Sequence, residues 1–169
     1  MKIALSPFQL YLAILAGGLA VFAFLLPSGV AGDGLVTAWG FWPLGGFLAV
    51  TFLALLIFRS ALHPAVIGLL AIVGGGVLLA ELNSVTIAVW GFWLTLVLCW
   101  VLAWLFAERL SVYVRAGRIE GNVALVLVPL MLGLGVLLVW EAVTRGAHVP
   151  FVIMPPPSAI WARLISNIP

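Results

Sequence analysis

The 169-residue chain is unusually apolar, because hydrophobic residues make up 66% of it and charged residues only 7%. Soluble domains carry about 25% charged residues, so this composition excludes an ordinary soluble domain and predicts an integral membrane protein. The formal net charge of +2 is too small to indicate a nucleic-acid partner, and the single cysteine, Cys99, cannot form an internal disulfide.

Five apolar runs are long enough to cross a membrane. Each has 17 to 19 residues, which as a helix spans about 26–28 Å of a hydrocarbon core roughly 30 Å thick. Because lipid cannot hydrogen-bond to the backbone, each run is predicted to be a helix. We therefore expect an all-α integral membrane protein with about five transmembrane helices, namely Phe8–Leu26, Phe41–Phe58, Pro64–Ala80, Val89–Phe106 and Val123–Trp140.

The first run has features of a secretory signal as well as of a membrane anchor. Lys2 precedes it, and the small residues Gly29, Val30 and Ala31 follow it as a cleavage site would. However, its apolar core is longer than the 7–15 residues of a cleaved signal. We expect an anchor helix that stays in the protein.

Tryptophan pairs in the order Trp-Gly-Phe-Trp begin the second and the fourth run. Trp39 and Trp42 form the first pair, and Trp90 and Trp93 form the second, 51 residues further on. Duplication of a helical hairpin would explain the repeat and would give residues 1–107 two hairpins. Convergence explains it equally, because tryptophan is favoured at membrane interfaces. In both cases we predict interface anchors rather than a ligand site.

The most polar stretch, residues 108–122, contains three arginines and two glutamates and is predicted to be a solvated cytoplasmic loop. With the N-terminus inside, five basic residues lie on the cytoplasmic side and two outside. The positive-inside rule then predicts a multi-pass membrane protein with a cytoplasmic N-terminus and an external C-terminal tail. The basic residues inside are Lys2, Arg59, Arg109, Arg115 and Arg118, and those outside are Arg145 and Arg163.

No ionisable residue lies near the middle of a predicted span. Glu81 and Glu141 lie at outer ends, where we expect water or lipid headgroups to solvate them. Charged groups inside a membrane mark ion and proton pathways, so neither is expected in this chain. His63 and His148 have no second ligand at a metal-like spacing. We predict no catalytic residue, metal site or cofactor, and no enzyme.

The last part of the chain, residues 123–169, joins a membrane span to a proline-rich exit. Three consecutive prolines lack backbone donors and fix φ, so Pro155–Pro157 predicts a stiff, extended spacer. Beyond it, Ala159–Ile168 predicts a short amphipathic helix on the membrane surface, with Trp161 as a further interface anchor. The residues that share its apolar face are Ile160, Trp161, Leu164, Ile165 and Ile168.

This order of parts resembles the beginning of the permease subunit of an ATP-binding-cassette importer of the nitrate, sulfonate and taurine type. In that family a hydrophobic helix ends in a Trp-Glu pair, matched here by Trp140 and Glu141. A loop then leads to a proline strip and a short helix. Pro155, Pro157 and Ser158 match that strip, whereas the residue between the two prolines, also a proline, replaces the usual serine.

The resemblance implies a location in the bacterial inner membrane, partners and a transported substrate. Such a permease pairs with a second permease subunit, cytoplasmic ATPase subunits and an outer solute-binding protein, and it imports nitrate, alkyl sulfonates, taurine or pyrimidine precursors. ATP hydrolysis belongs to a separate subunit. Residues 123–169 would be the N-terminal portion of the permease, preceded by a four-helix extension within residues 1–107. The alternative is a small, non-transporting membrane scaffold or assembly subunit.

Overall fold

The computed structural model describes residues 5–32, 34–57 and 63–166. Lys2, Phe58, Arg59 and Ile168, which enter the sequence predictions, lie outside these residues. Within the described part the chain forms six helices and a three-stranded sheet. In chain order they are α1 Pro7–Leu25, β1 Pro27–Ala31, β2 Gly34–Thr37, α2 Trp42–Ile57, α3 Pro64–Glu81, β3 Ile87–Ala88, α4 Trp90–Arg115, α5 Gly121–Gly146 and α6 Pro157–Ser166.

Each of the five apolar runs is a helix, as predicted. Four of them, α1, α3, α4 and α5, are long and apolar enough to cross a membrane. The second run gives α2, whose 16 described residues make it shorter than the other four. Local signals begin these helices: at α1, Ser6 accepts the backbone N–H of Gln9 at 3.2 Å, and Gln9 accepts that of Ser6 at 3.2 Å.

Helix α4 lies at the centre of the bundle and contacts α1, α3 and α5. Its buried face carries large apolar side chains, whereas α1 packs through small ones such as Ala16 and Ala20. Small residues let helices approach closely. By contrast, α5 packs on α3 and α4 along one side, and α6 packs against α5. The fully buried side chains of α4 include Phe92, Leu98, Leu102 and Leu105.

The strands lie at one end of the bundle, which we call the sheet end, where α1, α3 and α5 finish and α2 and α4 begin. β1 pairs antiparallel with both β2 and β3. The all-α prediction missed this sheet. The sequence signal for it is Gly32-Asp33-Gly34 between apolar pairs, which is typical of a hairpin turn; Asp33 itself lies outside the described residues, and Gly32 has a φ of +59°.

The predicted cytoplasmic loop is largely helical. α4 continues to Arg115, so the connection to α5 consists of residues 116–120 instead of 108–122. Packing extends the helix, because Arg109 and Leu110 are buried against the bundle. α5 likewise continues beyond Trp140, the predicted end of the span, to Gly146. The proposed division of the chain at residues 107 and 123 stays a prediction.

Gly91→Ala is expected to destabilise the sheet end by about 1–3 kcal/mol, the usual cost of overpacking. A Cβ atom at Gly91 would lie 2.7 Å from the carbonyl oxygen of Pro27 and 2.8 Å from that of Leu26. These are backbone atoms, so neither can rotate away. Thermal unfolding in detergent measures the effect, with Gly46→Ala as the matched control, because nothing lies within 4 Å of a Cβ there. Equal midpoints for the two variants would contradict this packing.

Candidate functional site

The residues that carry the permease-like motif meet at the junction of α5 and α6. The Glu141 carboxylate is almost completely buried. Its Oε2 accepts the backbone N–H of Ser158 at 2.9 Å, and its Oε1 accepts the Ser158 hydroxyl at 2.6 Å. The two halves of the motif, Trp140-Glu141 and the proline strip with Ser158, are therefore joined by direct hydrogen bonds.

The prolines explain why the contact forms at Ser158. A helix leaves its first backbone N–H groups without partners, and a negative charge at that end is favourable. Prolines have no N–H, so the strip Pro155–Pro157 supplies none and Ser158 carries the first backbone donor of α6. Glu141 binds this donor and thus caps α6 from a different helix. Pro157 occupies the first helical position, which suits its fixed φ.

Arg145 connects this junction to α3. Its Nη1 donates to Glu141 Oε1 at 3.3 Å, while Nη2 donates to Asn83 Oδ1 at 2.7 Å and to the Leu82 carbonyl oxygen at 3.3 Å. We call the set Glu141, Arg145, Ser158, Asn83 and the Leu82 carbonyl the polar joint. It fixes the end of α5 to the end of α3 and the start of α6 to both.

His148 makes a further contact between the end of α5 and the sheet end. Its Nε2 is hydrogen-bonded to the backbone oxygen of Thr86, just before β3. His148 has a backbone φ of +52°, which residues other than glycine rarely adopt. His63, the other histidine, caps α3 by accepting the Ala65 N–H at 3.2 Å. Among the described residues, no group of three or more His, Cys, Asp or Glu side chains could hold a metal ion.

The remaining motif and anchor residues do not converge on one point. Trp140 is half-buried, and its indole nitrogen has no hydrogen-bond partner in the described part of the chain. Trp93 is half-buried beside Gly146. The other predicted anchors are exposed: three at the sheet end and one on α6. They are Trp39, Trp42, Trp90 and Trp161. Their role as membrane anchors stays a prediction.

The structure corrects the expectation that water or headgroups solvate Glu81 and Glu141, because both are buried. At Glu81 a polar neighbour is on the sheet, at Ser28 of β1. Neither oxygen of the Glu81 carboxylate has a hydrogen-bond partner among the described residues. Ser28 lies beside the Glu81 carboxylate, but the Ser28 hydroxyl donates its single proton to the Val36 carbonyl oxygen at 3.3 Å.

Arg109 is also buried, although the sequence placed it in a solvated loop. Its side chain is fully enclosed and donates to Gln9 Oε1 at 3.2 Å. The guanidinium carbon lies 5.4 Å from the centre of the Tyr113 ring. Helical continuation of α4 past residue 107 turns Arg109 towards the first turn of α1. Sequence periodicity gives no sign of this, because the direction of a side chain at a helix end depends on the neighbouring helix.

Comparisons of the chain with protein-family models, with curated proteins and with solved structures find no match. The resemblance at residues 123–169 therefore depends on the motif residues alone. The fold defines a helical protein with four helices, within its described residues, that are long and apolar enough to cross a membrane.

Proposed function

We propose that this chain is a multi-pass protein of the bacterial inner membrane, with the sheet end outside and the opposite end in the cytoplasm. Exposed apolar surface supports this proposal. On α5, side chains such as Leu125, Val126 and Leu130 are more than half exposed in the isolated chain. Lipid would remove this surface from water. The arginines Arg115 and Arg118 flank the α4–α5 connection at the opposite end, in accordance with the positive-inside rule.

We further propose that residues 123–169 form the first part of a permease subunit of an ATP-binding-cassette importer for a small solute of the nitrate, sulfonate, taurine or pyrimidine-precursor kind. The observation that carries this proposal is the pair of hydrogen bonds between Glu141 and Ser158. These hydrogen bonds join the two separated motif segments and set the position of α6. A second permease subunit, cytoplasmic ATPases and an outer solute-binding protein would then be the partners.

Helices α5 and α6 have the surfaces that such a role needs. α5 buries little of its surface within the bundle, so helices of a transport core can pack on its exposed face. α6 has a polar side and an apolar side, and its apolar residues Ile160, Trp161 and Leu164 are exposed. An amphipathic helix of this kind lies in the membrane interface. We therefore place α6 on the outer membrane surface, beside the entrance to the core.

A non-transporting scaffold or assembly subunit is the second candidate. The observation that favours it is the bundle α1–α4, whose helices pack on one another around a mainly apolar core. A scaffold of this kind would present α5 and α6 to a partner without taking part in transport.

Uptake measurements distinguish the two candidates. Deletion of the gene is expected to abolish high-affinity uptake of one labelled solute among nitrate, taurine, an alkyl sulfonate and a pyrimidine precursor. The full-length gene should restore that uptake, and an ATPase subunit should co-purify with the protein. Unchanged uptake of all four solutes would contradict the importer proposal and leave the scaffold.

Cysteine labelling tests the orientation in the intact chain. Val152→Cys, in the exposed segment after α5, is expected to react with a membrane-impermeant maleimide in intact spheroplasts. Gly117→Cys, in the connection between α4 and α5, should react only after lysis. The native Cys99 is buried, and the unsubstituted protein measures its background. The reverse labelling pattern would show that the sheet end faces the cytoplasm.

A further inference from the structure

Two adjoining cavities lie along α3 and α5. The lower one, between α3, α4 and α5, has a volume of about 290 Å³. The upper one, near the polar joint, has a volume of about 380 Å³. Leu79, Leu134 and Leu138 line both cavities, so the two adjoin, and we call them together the α3–α5 crevice.

The crevice changes from apolar to polar along its length. Its lower walls are apolar and include Trp100 and Met131. Its upper end reaches Asn83, Arg145 and the Glu141–Ser158 contact. The Arg145 side chain is 31% exposed, whereas that of Glu141 is 7% exposed and already accepts hydrogen bonds from Ser158 and Arg145. The accessible charge at the polar end is therefore the cation.

The dimensions of the crevice match one leaflet of a membrane. Met131 and Arg145 are 14 residues apart on α5, which corresponds to about 21 Å of helix. A bilayer with its headgroups is about 40–45 Å thick, so one leaflet is about 20–22 Å. The polar end of the crevice lies at the sheet end, where the headgroups of the outer leaflet would be.

We propose that the α3–α5 crevice binds one phospholipid, with an acyl chain along the apolar walls and the headgroup phosphate on Arg145. The proposal rests on the membrane insertion proposed above, but not on the transport function. Arginine has five N–H donors and a planar geometry that suits phosphate, and the three bonds described above leave further donors.

Native mass spectrometry of the full-length protein in detergent tests this site. Wild-type protein is expected to bind one phosphatidylglycerol. Diacylglycerol with the same acyl chains lacks the phosphate and should bind at least about tenfold more weakly, because it loses a charge-assisted hydrogen bond. Gly76→Leu should weaken phosphatidylglycerol binding to the same extent or more. Gly76 lines the lower cavity and a Cβ there meets nothing within 4 Å, so the leucine side chain starts in open space and takes up room in the crevice.

Gly46→Leu is the matched control, because Gly46 is an exposed helical glycine whose Cβ also meets nothing within 4 Å. It should bind phosphatidylglycerol as the wild type does. Equal binding by Gly76→Leu and wild type, equal losses in both glycine variants, or equal binding of diacylglycerol would overturn the proposal. Displacement of the lipid by inorganic phosphate, or a second copy of the chain in its place, would also overturn it. Alkaline extraction of membranes distinguishes failure of the proposed membrane insertion from failure of the lipid site. Release of the protein from the membranes would contradict insertion. Retention of the protein, together with no bound lipid, would contradict only the lipid site.

Discussion

Arg109→Ala is expected to lower the free energy of unfolding by about 3 kcal/mol. The substitution empties the space of a fully buried side chain and removes its hydrogen bond to Gln9 Oε1, which still accepts the Ser6 N–H. Large-to-small changes in a core cost about 2–5 kcal/mol, and a hydrogen bond to a charged group contributes about 1.5–3 kcal/mol. Relief from burying a charge offsets part of this sum. For a chain of this size the unfolding midpoint should fall by about 6–12 °C, measured by thermal unfolding in detergent.

Two further variants identify the cause of the loss. Arg115→Ala is the matched control, because Arg115 is exposed on the same helix and contacts Ser111 at 3.4 Å. It should change stability by less than about 0.5 kcal/mol. Arg109→Met fills most of the same space without a charge and should lose less than the alanine variant. If Arg109→Ala and Arg115→Ala unfold at the same temperature, Arg109 is not a structural element of the bundle.

Glu141→Ala is expected to release α6 from the bundle. The variant loses both hydrogen bonds to Ser158 and the ion pair with Arg145. Hydrogen bonds to charged groups contribute about 1.5–3 kcal/mol each, and renewed hydration of Ser158 offsets part of that. We expect a net loss of about 2–4 kcal/mol, which raises the exchange rate of α6 amides roughly 30- to 700-fold. Hydrogen exchange with mass spectrometry in detergent measures this rate.

The controls for Glu141 use the same residue type and the same contact. Glu120 is exposed at the start of α5 and makes no side-chain cap hydrogen bond, so Glu120→Ala should leave α6 exchange unchanged. Glu141→Gln keeps an acceptor for the Ser158 N–H and should give an intermediate rate. Ser158→Ala combined with Glu141→Ala should cost less than the sum of the two single changes, as for any contacting pair. Additive effects would show that Glu141 and Ser158 do not interact.

The sequence predicts the helices well because their cause is local. A run of 17 to 19 apolar residues has one good way to satisfy its backbone in lipid, and charged or turn residues end it. The hairpin β1–β2 had a signal as well, in the Gly32-Asp33-Gly34 turn. β3 had none, because two residues become a strand only when β1 lies beside them.

The sequence did not predict that ionisable residues are buried. Glu81, Arg109 and Glu141 all lie near the ends of apolar runs, where sequence alone predicts solvation. Their burial depends on what lies beside the helix end: β1 at Glu81, α1 at Arg109 and α6 at Glu141. Contacts of this kind join segments up to 100 residues apart, as between Gln9 and Arg109, and no local pattern records them.

The way α6 is attached has a mechanical consequence. The helix is held at its first turn by Glu141, and none of its 10 residues is buried. Along the rest of its length, about 15 Å in all, Arg163 lies over the Phe151 ring at 5.2 Å. A small rotation of α5, or a small displacement of α3 relative to α5, would be transmitted through Arg145 to Ser158. It would turn α6 about Ser158, and the C-terminal end of α6 would move further than the helix that started the movement.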